Sequence, residues 1–523
     1  MKTKVLLLLA ALCLGSTSDL SAFRYTYQGV VLEYLPTSDG KCQVRSPGEL
    51  SGDVKIPSVA IEDNGETQNN YTVVEIDQYG FAGCDITSIE LPSTLTSIKD
   101  AAFAMCTELK SFTLPSTVTE FGMSIFEGCS TLTDVTLPST LTQIGASWFS
   151  YCSSLETLDI PANVTAIGAY AFAGCESLKS VNIPEGVTAI DDRAFSECTN
   201  LKTIELPESL EILGVGDGVF NGSGLTSITI PDKVTEIIKY SFSSCSDLEE
   251  ITLGKNVKSI GDGAFDGCRK LKAIELPNSL ETIDDEAFTG CESLTSIVIP
   301  NSVTEMGRSV FSFCNSLKSA VLSDNMTVIA YDLFEECVNL ESVKIGESTE
   351  KIYLAAFFNC RSLSSIEIPN SVTYIGARSF DDCAGLKHVK ISENLTELLQ
   401  NAWRGCNNIE TVEYMTATPC STDGTFYESS VFSESTYENA TLYIPTGAKA
   451  AFMAVQPWKN FKNIVEKSST GVDDVTSADD EIDYSQRYIV FSLTGMELGS
   501  DLSELSNGVY IIRQGEKVAK VRI

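Results

Sequence analysis

LETLDIPANVTAIGAYAFAGCES, residues 155–177, is followed at once by LKSVNIPEGVTAIDDRAFSECTN, residues 178–200. Units of nearly the same sequence follow one another through most of the chain, so that cysteine recurs at a spacing close to 23 residues. A fixed period of about 20–29 residues with an L-x-x-L-x-L-like core is the signature of a leucine-rich repeat. The period therefore predicts a solenoid, in which each unit contacts only its neighbours.

Two ladders of residues mark the regular array and predict fifteen units between residues 81 and 413. Each unit has an aromatic residue three positions before its cysteine, and one unit has Ser223 in place of the thiol. The aromatic residues are Phe81, Phe103, Phe126, Phe149, Phe172, Phe195, Phe220, Phe242, Phe265, Phe288, Phe311, Phe334, Phe357, Phe380 and Trp403. The ladder cysteines are Cys84, Cys106, Cys129, Cys152, Cys175, Cys198, Cys245, Cys268, Cys291, Cys314, Cys337, Cys360, Cys383 and Cys406.

The first half of each unit predicts one short strand. In the unit that begins at Leu271, Ile274 and Leu276 alternate with Glu275, and a proline then ends the strand. The second half, T-x-I-G-x-x-A-F-x-x-C, is predicted to return the chain along the outer face as short helical or 3₁₀ turns. We therefore expect an α/β-type solenoid with one short parallel strand per unit and a cap at each end.

The N-terminus reads as a secretory signal peptide. Lys2 and Lys4 precede an apolar run, residues 5–14, which is shorter than the roughly 20 residues that cross a bilayer. Since no later stretch is apolar enough to span a membrane, we expect an exported chain without a transmembrane span. It is predicted to reside at the cell surface or outside the cell, in association with the outer membrane.

Changes of composition divide the chain into six predicted parts. They are a signal peptide (1–22), an N-terminal cap with degenerate repeats (23–80), the solenoid (81–413), a C-terminal cap (414–467), an acidic linker (468–484) and a small β domain (485–523). In the C-terminal cap, Thr446 is expected to N-cap a short helix that runs to about Val455. The residues expected to cover the last unit are Trp458, Phe461, Ile464 and Val465.

The charge of the chain excludes several classes of partner. Among 523 residues, 36 are basic and 71 are acidic, which gives a net charge of −35. A polyanion repels phosphate backbones and anionic lipid surfaces, so we expect no nucleic-acid partner. The simplest interpretation of the acidic surface is that it keeps an exported protein soluble.

The cysteines are predicted to be buried free thiols that act as small apolar residues. A stack of disulfides or of metal ions was the alternative, because adjacent units place their Cα atoms about 5 Å apart. However, stacked side chains point in parallel, and the sequence has no C-x-x-C pair. Cys42 and Cys420 lie outside the ladder, one in each cap, and are also expected to be free.

The sequence has little that predicts catalysis. Its single histidine, His388, precedes Val389 at an exposed strand position, which does not favour a catalytic role. The carboxylate pairs Asp191–Asp192 and Asp284–Asp285 fall in the solvent-facing part of their units and read as surface charges. Since no phosphate-binding glycine loop occurs either, we expect no enzyme, no metal site and no cofactor.

The outward side chains of the predicted strands form the expected concave binding surface. Most are polar or acidic and none is aromatic, so this row does not indicate a sugar-stacking platform. From residue 298 to residue 390 the row becomes apolar and basic, and this break is our candidate partner-binding region. Neutral substitution at strand positions that accept many residue types would produce the same pattern. The candidate residues are Val298, Val321, Lys344, Glu367, His388 and Lys390.

The unit L-x-x-I-x-L-P-x-x-V-T-x-I-G-x-x-A-F-x-x-C resembles that of the BspA-type leucine-rich repeat family of bacterial surface proteins. The segment ATLYIPTGAKAAFMAVQPWKNFKNIVE, residues 440–466, is similar to the ending of such arrays in Bacteroidetes-type bacteria. The tail FSLTGMELG…SNGVYIIRQGEKVAKVRI, within residues 485–523, is similar to the C-terminal sorting domain of type nine secretion cargo. A small β domain without a targeting role is the alternative for the tail.

The resemblance implies a surface antigen or adhesin that binds host matrix proteins or other bacteria. Our leading hypothesis is therefore a non-catalytic binding protein at the cell surface, whose partner is a protein or another cell-surface ligand. The second hypothesis is a periplasmic or outer-membrane-associated scaffold or nutrient-binding component. An extracellular hydrolase is the least favoured alternative.

Overall fold

The computed structural model describes residues 21–37, 39–422 and 430–467 and four strands near the C-terminus. Most of the predicted signal peptide and all of the predicted linker, 468–484, lie outside the described residues. Most turns of the solenoid carry one strand of three to six residues, and we call the surface formed by these strands the long-strand face. A second strand of two residues lies on the opposite side of the core, on the short-strand face.

The N-terminal cap is built from five strands, which are β1 (Phe23–Tyr27), β2 (Val30–Pro36), β3 (Lys41–Arg45), β5 (Val59–Asp63) and β6 (Gln68–Ile76). The first three pair antiparallel in sequence order, and β3 then pairs in parallel with β6. Strand β6 also pairs with the first short strand of the array, so the cap continues the sheet of the solenoid. Leu32, Tyr34 and Val44 are buried and close the end of the core.

Strands of the long-strand face occur where the L-x-x-I-x-L pattern predicts them, except in the units that begin at Leu201 and Leu271. The strand predicted at Ile274–Leu276 does not form, although Ile274 is buried and Glu275 is exposed as the pattern requires. They are β4 (Ser51–Lys55), β7 (Asp85–Glu90), β9 (Ser111–Thr113), β11 (Asp134–Thr136), β13 (Thr157–Asp159), β15 (Ser180–Asn182), β18 (Ser227–Thr229), β20 (Glu250–Thr252), β23 (Ser296–Val298), β25 (Ser319–Val321), β27 (Ser342–Lys344), β29 (Ser365–Glu367), β31 (His388–Lys390), β33 (Thr411–Glu413), β34 (Thr441–Pro445) and β35 (Asn463–Lys467). They pair in parallel, in groups of two to five strands rather than in one continuous sheet. The solenoid thus extends beyond the predicted array at both ends, through β4 and through β34 and β35.

The second half of each unit departs from the prediction of helical turns. It contains the short strands β8 (Ser97–Ile98), β10 (Glu120–Phe121), β12 (Gln143–Ile144), β14 (Ala166–Ile167), β16 (Ala189–Ile190), β17 (Ile212–Leu213), β19 (Glu236–Ile237), β21 (Ser259–Ile260), β22 (Thr282–Ile283), β24 (Glu305–Met306), β26 (Val328–Ile329), β28 (Lys351–Ile352), β30 (Tyr374–Ile375) and β32 (Glu397–Leu398). The turns that follow them contain left-handed residues two positions before the aromatic residue and one before the cysteine, as at Tyr170 (φ 58°) and Gly174 (φ 70°). A right-handed helix cannot run through such residues, which explains the difference.

The core is a stack of aromatic rings beside a stack of thiols. From Phe81 to Trp403, neighbouring rings of the ladder are 5.0–5.8 Å apart between centroids and 3–17° from parallel. Each ladder cysteine from Cys106 to Cys406 donates its S–H to the backbone carbonyl of the aromatic residue one unit earlier, at 3.0–3.4 Å. All sixteen cysteines among the described residues are buried and free, as predicted.

The C-terminal cap continues the ladder by one ring that the cysteine spacing does not reveal. Phe432 stacks on Trp403 with 4.9 Å between centroids. The cap also contains α1 (Glu434–Asn439), α2 (Lys449–Ala454) and a 3₁₀ helix (Trp458–Asn460). Because strands β33, β34 and β35 pair in register, the cap remains part of the stack.

Two details of the predicted C-terminal cap were wrong. Helix α2 begins after Ala448 without a side-chain cap, so Thr446 is not its N-cap. A carboxylate takes over that role, since Glu466 Oε1 accepts hydrogen bonds from the backbone N–H groups of Gly447 and Lys449 at 3.1 and 3.0 Å. Val465 is exposed rather than covering the last unit, whereas the remaining three predicted residues pack on the core, with Trp458 and Phe461 buried and Ile464 partly buried.

The four C-terminal strands are β36 (Ile489–Phe491), β37 (Glu497–Gly499), β38 (Val509–Gln514) and β39 (Lys517–Arg522). They form one antiparallel sheet in the order β37-β36-β38-β39. These strands fall within residues 485–523, and the bounds of the expected β domain and its role in sorting remain predictions.

Candidate functional site

The long-strand face presents its side chains in the predicted alternation. In β23 the middle residue, Ile297, is buried, and its neighbours Ser296 and Val298 are exposed. The same order recurs in β29 and β31. The outward residues therefore have no part in the core and are available to contact a partner.

The candidate residues fall on two neighbouring groups of paired strands. Val298, Val321 and Lys344 lie opposite one another on β23, β25 and β27. Glu367 and Lys390 lie opposite one another on β29 and β31, and His388 begins β31. Val298 is 62% exposed, the most exposed of the apolar residues in this region, and Val321 is half-buried.

Ion pairs reduce the basic character of this region. Lys344 Nζ lies 3.3 Å from Asp324 Oδ1, and the Lys390 ammonium group pairs with the Glu367 carboxylate. The bond to Glu367 raises the pKa of Lys390, and the bond to Lys344 lowers the pKa of Asp324. His388 Nδ1 lies 2.9 Å from Thr411 Oγ1 on the next strand. The region is therefore better described as apolar with paired charges than as a positive patch.

A groove on the same face lies farther toward the N-terminus and was missed by the sequence reasoning. It has a volume of about 760 Å³ and is lined by residues of the three units between 157 and 208. Its four carboxylates, Asp159, Glu185, Glu205 and Glu208, form no ion pair with a lysine or arginine of the described residues. Glu185 and Glu208 come from the turns after the strands, so inspection of the strand row alone does not bring them together with Asp159 and Glu205.

The buried thiols are unreactive in the folded state. Burial raises the pKa of Cys175 to about 12 and that of Cys314 to about 12, so both remain protonated near neutral pH. A protonated, inaccessible thiol is neither a nucleophile nor a metal ligand. In the unit with Ser223, the serine Oγ lies 3.3 Å from Cys245 Sγ, which shows that a hydroxyl group fits the same slot.

The carboxylate pairs have structural roles beyond those of simple surface charges. Asp192 Oδ1 accepts hydrogen bonds from the N–H groups of Val215 and Gly216, both at 2.8 Å, and so holds the loop of the next unit. Partial burial, with further contributions from Asp262 and Asp285, raises the pKa of Asp284. Asp285 is paired with Arg308. Within the described ranges, no group of three or more His, Cys, Asp and Glu side chains could hold a metal ion.

Two stacked sets of parallel strands around one aromatic and one thiol ladder define a leucine-rich repeat solenoid of bacterial type. The family model "BspA type Leucine rich repeat region (6 copies)" matches residues 74–202, 165–271, 235–362 and 328–453. The chain therefore belongs to the BspA-type leucine-rich repeat family. Among the helices that the structure describes, none has the length and apolarity needed to cross a membrane.

Solved structures of other bacterial proteins are similar to this chain. A leucine-rich repeat protein from Bacteroides ovatus is 31% identical, with a TM-score of 0.59, over 76% of this chain and 94% of its own. A leucine rich cell surface protein from Faecalibacterium prausnitzii is 27% identical, with a TM-score of 0.41, over 76% of this chain and 96% of its own. None of the curated proteins is significantly similar to this chain.

Proposed function

We propose that this chain is a non-catalytic binding protein of the cell surface, which recognises a host matrix protein or another cell through its long-strand face. The observation that carries the proposal is the division of each strand into a buried middle residue and exposed neighbours, repeated from unit to unit. Solenoids of stacked repeats use such extended surfaces for binding. Membership of the BspA-type family and the signal-like N-terminus support export and display.

Within this face, we place the contact region at Val298, Val321, Lys344, Glu367, His388 and Lys390. Two adjacent valines provide apolar area that a partner can bury, and the paired charges around them can hydrogen-bond at the rim. An interface of this kind has an apolar centre and a polar rim. We therefore expect the valines to contribute more binding energy than the lysines, which already have partners within the chain.

Binding of the full-length protein to immobilised fibronectin, laminin and collagen tests this function. The double variant Val298→Glu/Val321→Glu places two charges in the apolar centre and is expected to weaken binding by about 10-fold or more. Thr229→Glu/Thr252→Glu, at the same outward position in β18 and β20, serves as the matched control and is expected to change binding less than about 2-fold. Equal binding by wild type and both variants would refute the proposed contact region without refuting the proposed function. No binding to any of the three proteins at micromolar concentration would refute matrix adhesion.

Protease treatment of intact cells tests display at the surface. If the protein is displayed, the exposed chain is degraded while periplasmic markers remain whole. A chain that survives this treatment and co-purifies with a nutrient-uptake complex would instead support the scaffold or nutrient-binding alternative.

A further inference from the structure

Three tyrosines form a cluster on the short-strand face, on the side of the solenoid opposite the proposed contact region. Tyr331 follows β26 by two residues, Tyr353 follows β28 directly, and Tyr374 begins β30. Because these three strands pair in parallel and in register, the tyrosines of three successive units become neighbours. Tyr331 and Tyr353 stack with 4.7 Å between ring centroids, and Tyr374 meets Tyr353 edge to face at 5.9 Å.

The stack fixes the orientation of Tyr331 and leaves one of its ring faces open. Tyr331 is 45% exposed, and the neighbouring Leu354 is 41% exposed. In the part of the chain that the structure describes, Tyr353 is the only ring within stacking distance of Tyr331, and no lysine or arginine lies over it. A rigid aromatic side chain loses little conformational entropy when a ligand covers it.

Hydrogen-bonding groups border the open face. Arg308 occupies the position of Tyr331 one unit earlier, and its Nε donates to Asp285 Oδ2 at 2.9 Å, which leaves further guanidinium donors available. Asp332 is the residue after Tyr331 and is half-buried. Burial raises the pKa of Asp332, while the charges of Arg308 and Arg378 oppose the shift. The backbone N–H of Ser309 donates to the Tyr331 carbonyl at 2.9 Å, so the segment that contains Arg308 lies beside the one that contains Tyr331 and Asp332. An aromatic ring, a donor and an acceptor thus occupy adjacent positions of two successive units.

The size and charge of the cluster favour a small neutral ligand. A stable protein interface buries about 800 Å² per partner over about 20–30 residues. Only Tyr331 and Leu354 are exposed apolar side chains here, since Tyr353 and Tyr374 are half-buried. A purely apolar ligand would cover Asp332, the phenol hydroxyl groups and the remaining N–H donors of Arg308 without forming hydrogen bonds to them, which is costly. A pyranose ring has an apolar C–H face and a rim of hydroxyl groups, and it fits both features.

We propose that the short-strand face carries an oligosaccharide-binding site, in which a pyranose ring lies on the open face of Tyr331. Arg308 donates hydrogen bonds to the sugar hydroxyl groups and Asp332 accepts them. Tyr353 and Tyr374 are positioning residues that hold the Tyr331 ring. This site is separate from the proposed contact region and does not depend on the matrix-protein function.

Isothermal titration calorimetry on the full-length protein tests the site. The probes are O-glycans released from gastric mucin, cello-oligosaccharides and xylo-oligosaccharides. We expect one of these to bind with saturation and the Tyr331→Ala variant to bind it about 10-fold or more weakly. Tyr331→Phe, which retains the ring, is expected to lose less affinity. A change in tyrosine fluorescence on titration of wild type, absent in Tyr331→Ala, would place the sugar on this ring.

Tyr151→Ala is the matched control, because Tyr151 is 56% exposed and lies outside the cluster. It should bind the sugar like wild type. The proposal is overturned if none of the three probes binds, or if Tyr331→Ala and Tyr151→Ala retain the same affinity as wild type. Loss of fibronectin or laminin binding in Tyr331→Ala, without any sugar binding, would also overturn it and would assign the cluster to a protein partner.

Discussion

At the scale of single residues, the cysteine that makes each unit recognisable turns out to satisfy the backbone. Its thiol fills a small buried slot and donates to a carbonyl of the preceding unit, as Cys268 does to Phe242 at 3.1 Å. The left-handed residue just before the cysteine is equally constrained. At Gly174, with φ 70°, a Cβ atom would lie 2.5 Å from the Tyr151 ring of the previous unit. Glycine and larger side chains alternate at this position from Gly83 to Gly222, whereas the later units do not follow this rule.

Gly174→Ala is expected to lower the free energy of unfolding by about 2–4 kcal/mol, because it combines a left-handed alanine with a collision against Tyr151. Gly267→Ala is the control, since Gly267 has φ 71° and its Cβ would meet nothing closer than 3.8 Å. That variant should lose only about 1 kcal/mol. Urea denaturation followed by circular dichroism measures both. An equal decrease in the free energy of unfolding of both variants would show that the contact with Tyr151 does not contribute to the destabilisation.

At the scale of secondary-structure elements, charged side chains connect successive turns. Most of these ion pairs are exposed, such as Lys272 with Glu249 at 2.5 Å, and exposed pairs contribute little. Asp381 differs, because its side chain is fully buried between Arg378 Nε at 2.9 Å and Arg404 Nη2 at 2.5 Å. It therefore fixes the turn of its own unit to that of the next.

Asp381→Asn is expected to destabilise the fold by about 1–3 kcal/mol, because its hydrogen bonds with two half-exposed arginines lose the charge of the carboxylate. Glu249→Gln, which breaks an exposed pair, should change stability by less than about 1 kcal/mol. Thermal denaturation at low and high salt compares the two variants. If both have the same melting temperature as wild type, the buried pair does not hold the units together.

At the scale of the whole molecule, the two caps extend the stack and close its ends. Phe432 stacks on Trp403 although its unit lacks the cysteine. Trp458 and Phe461 both meet Phe432 edge to face and stack on each other. Since each unit contacts only its neighbours, a defect at one end should spread from that end inward.

Phe432→Ala is expected to increase hydrogen exchange first in β33, β34 and β35, with the units near the N-terminus protected as in wild type. A cavity of this size costs about 3–5 kcal/mol locally. Phe242→Ala, in the middle of the stack, should instead affect exchange on both sides of its unit. Native-state hydrogen exchange with mass spectrometry distinguishes the two patterns. Uniform loss of protection after Phe432→Ala would mean that the solenoid unfolds as a single unit.

The sequence by itself determined the repeat, most of the long strands and the buried thiols, because the period and the alternation of apolar and polar residues, as in His388, Val389 and Lys390, follow directly from local chemistry. It did not determine the short strands, since two-residue strands have no periodic signal and depend on the left-handed turns beside them. Only the tertiary structure decided which charges are paired, as with Lys344 and Lys390, and which tyrosines meet. Stacking brings together side chains that are one whole unit apart in sequence, and no local sequence pattern spans that separation.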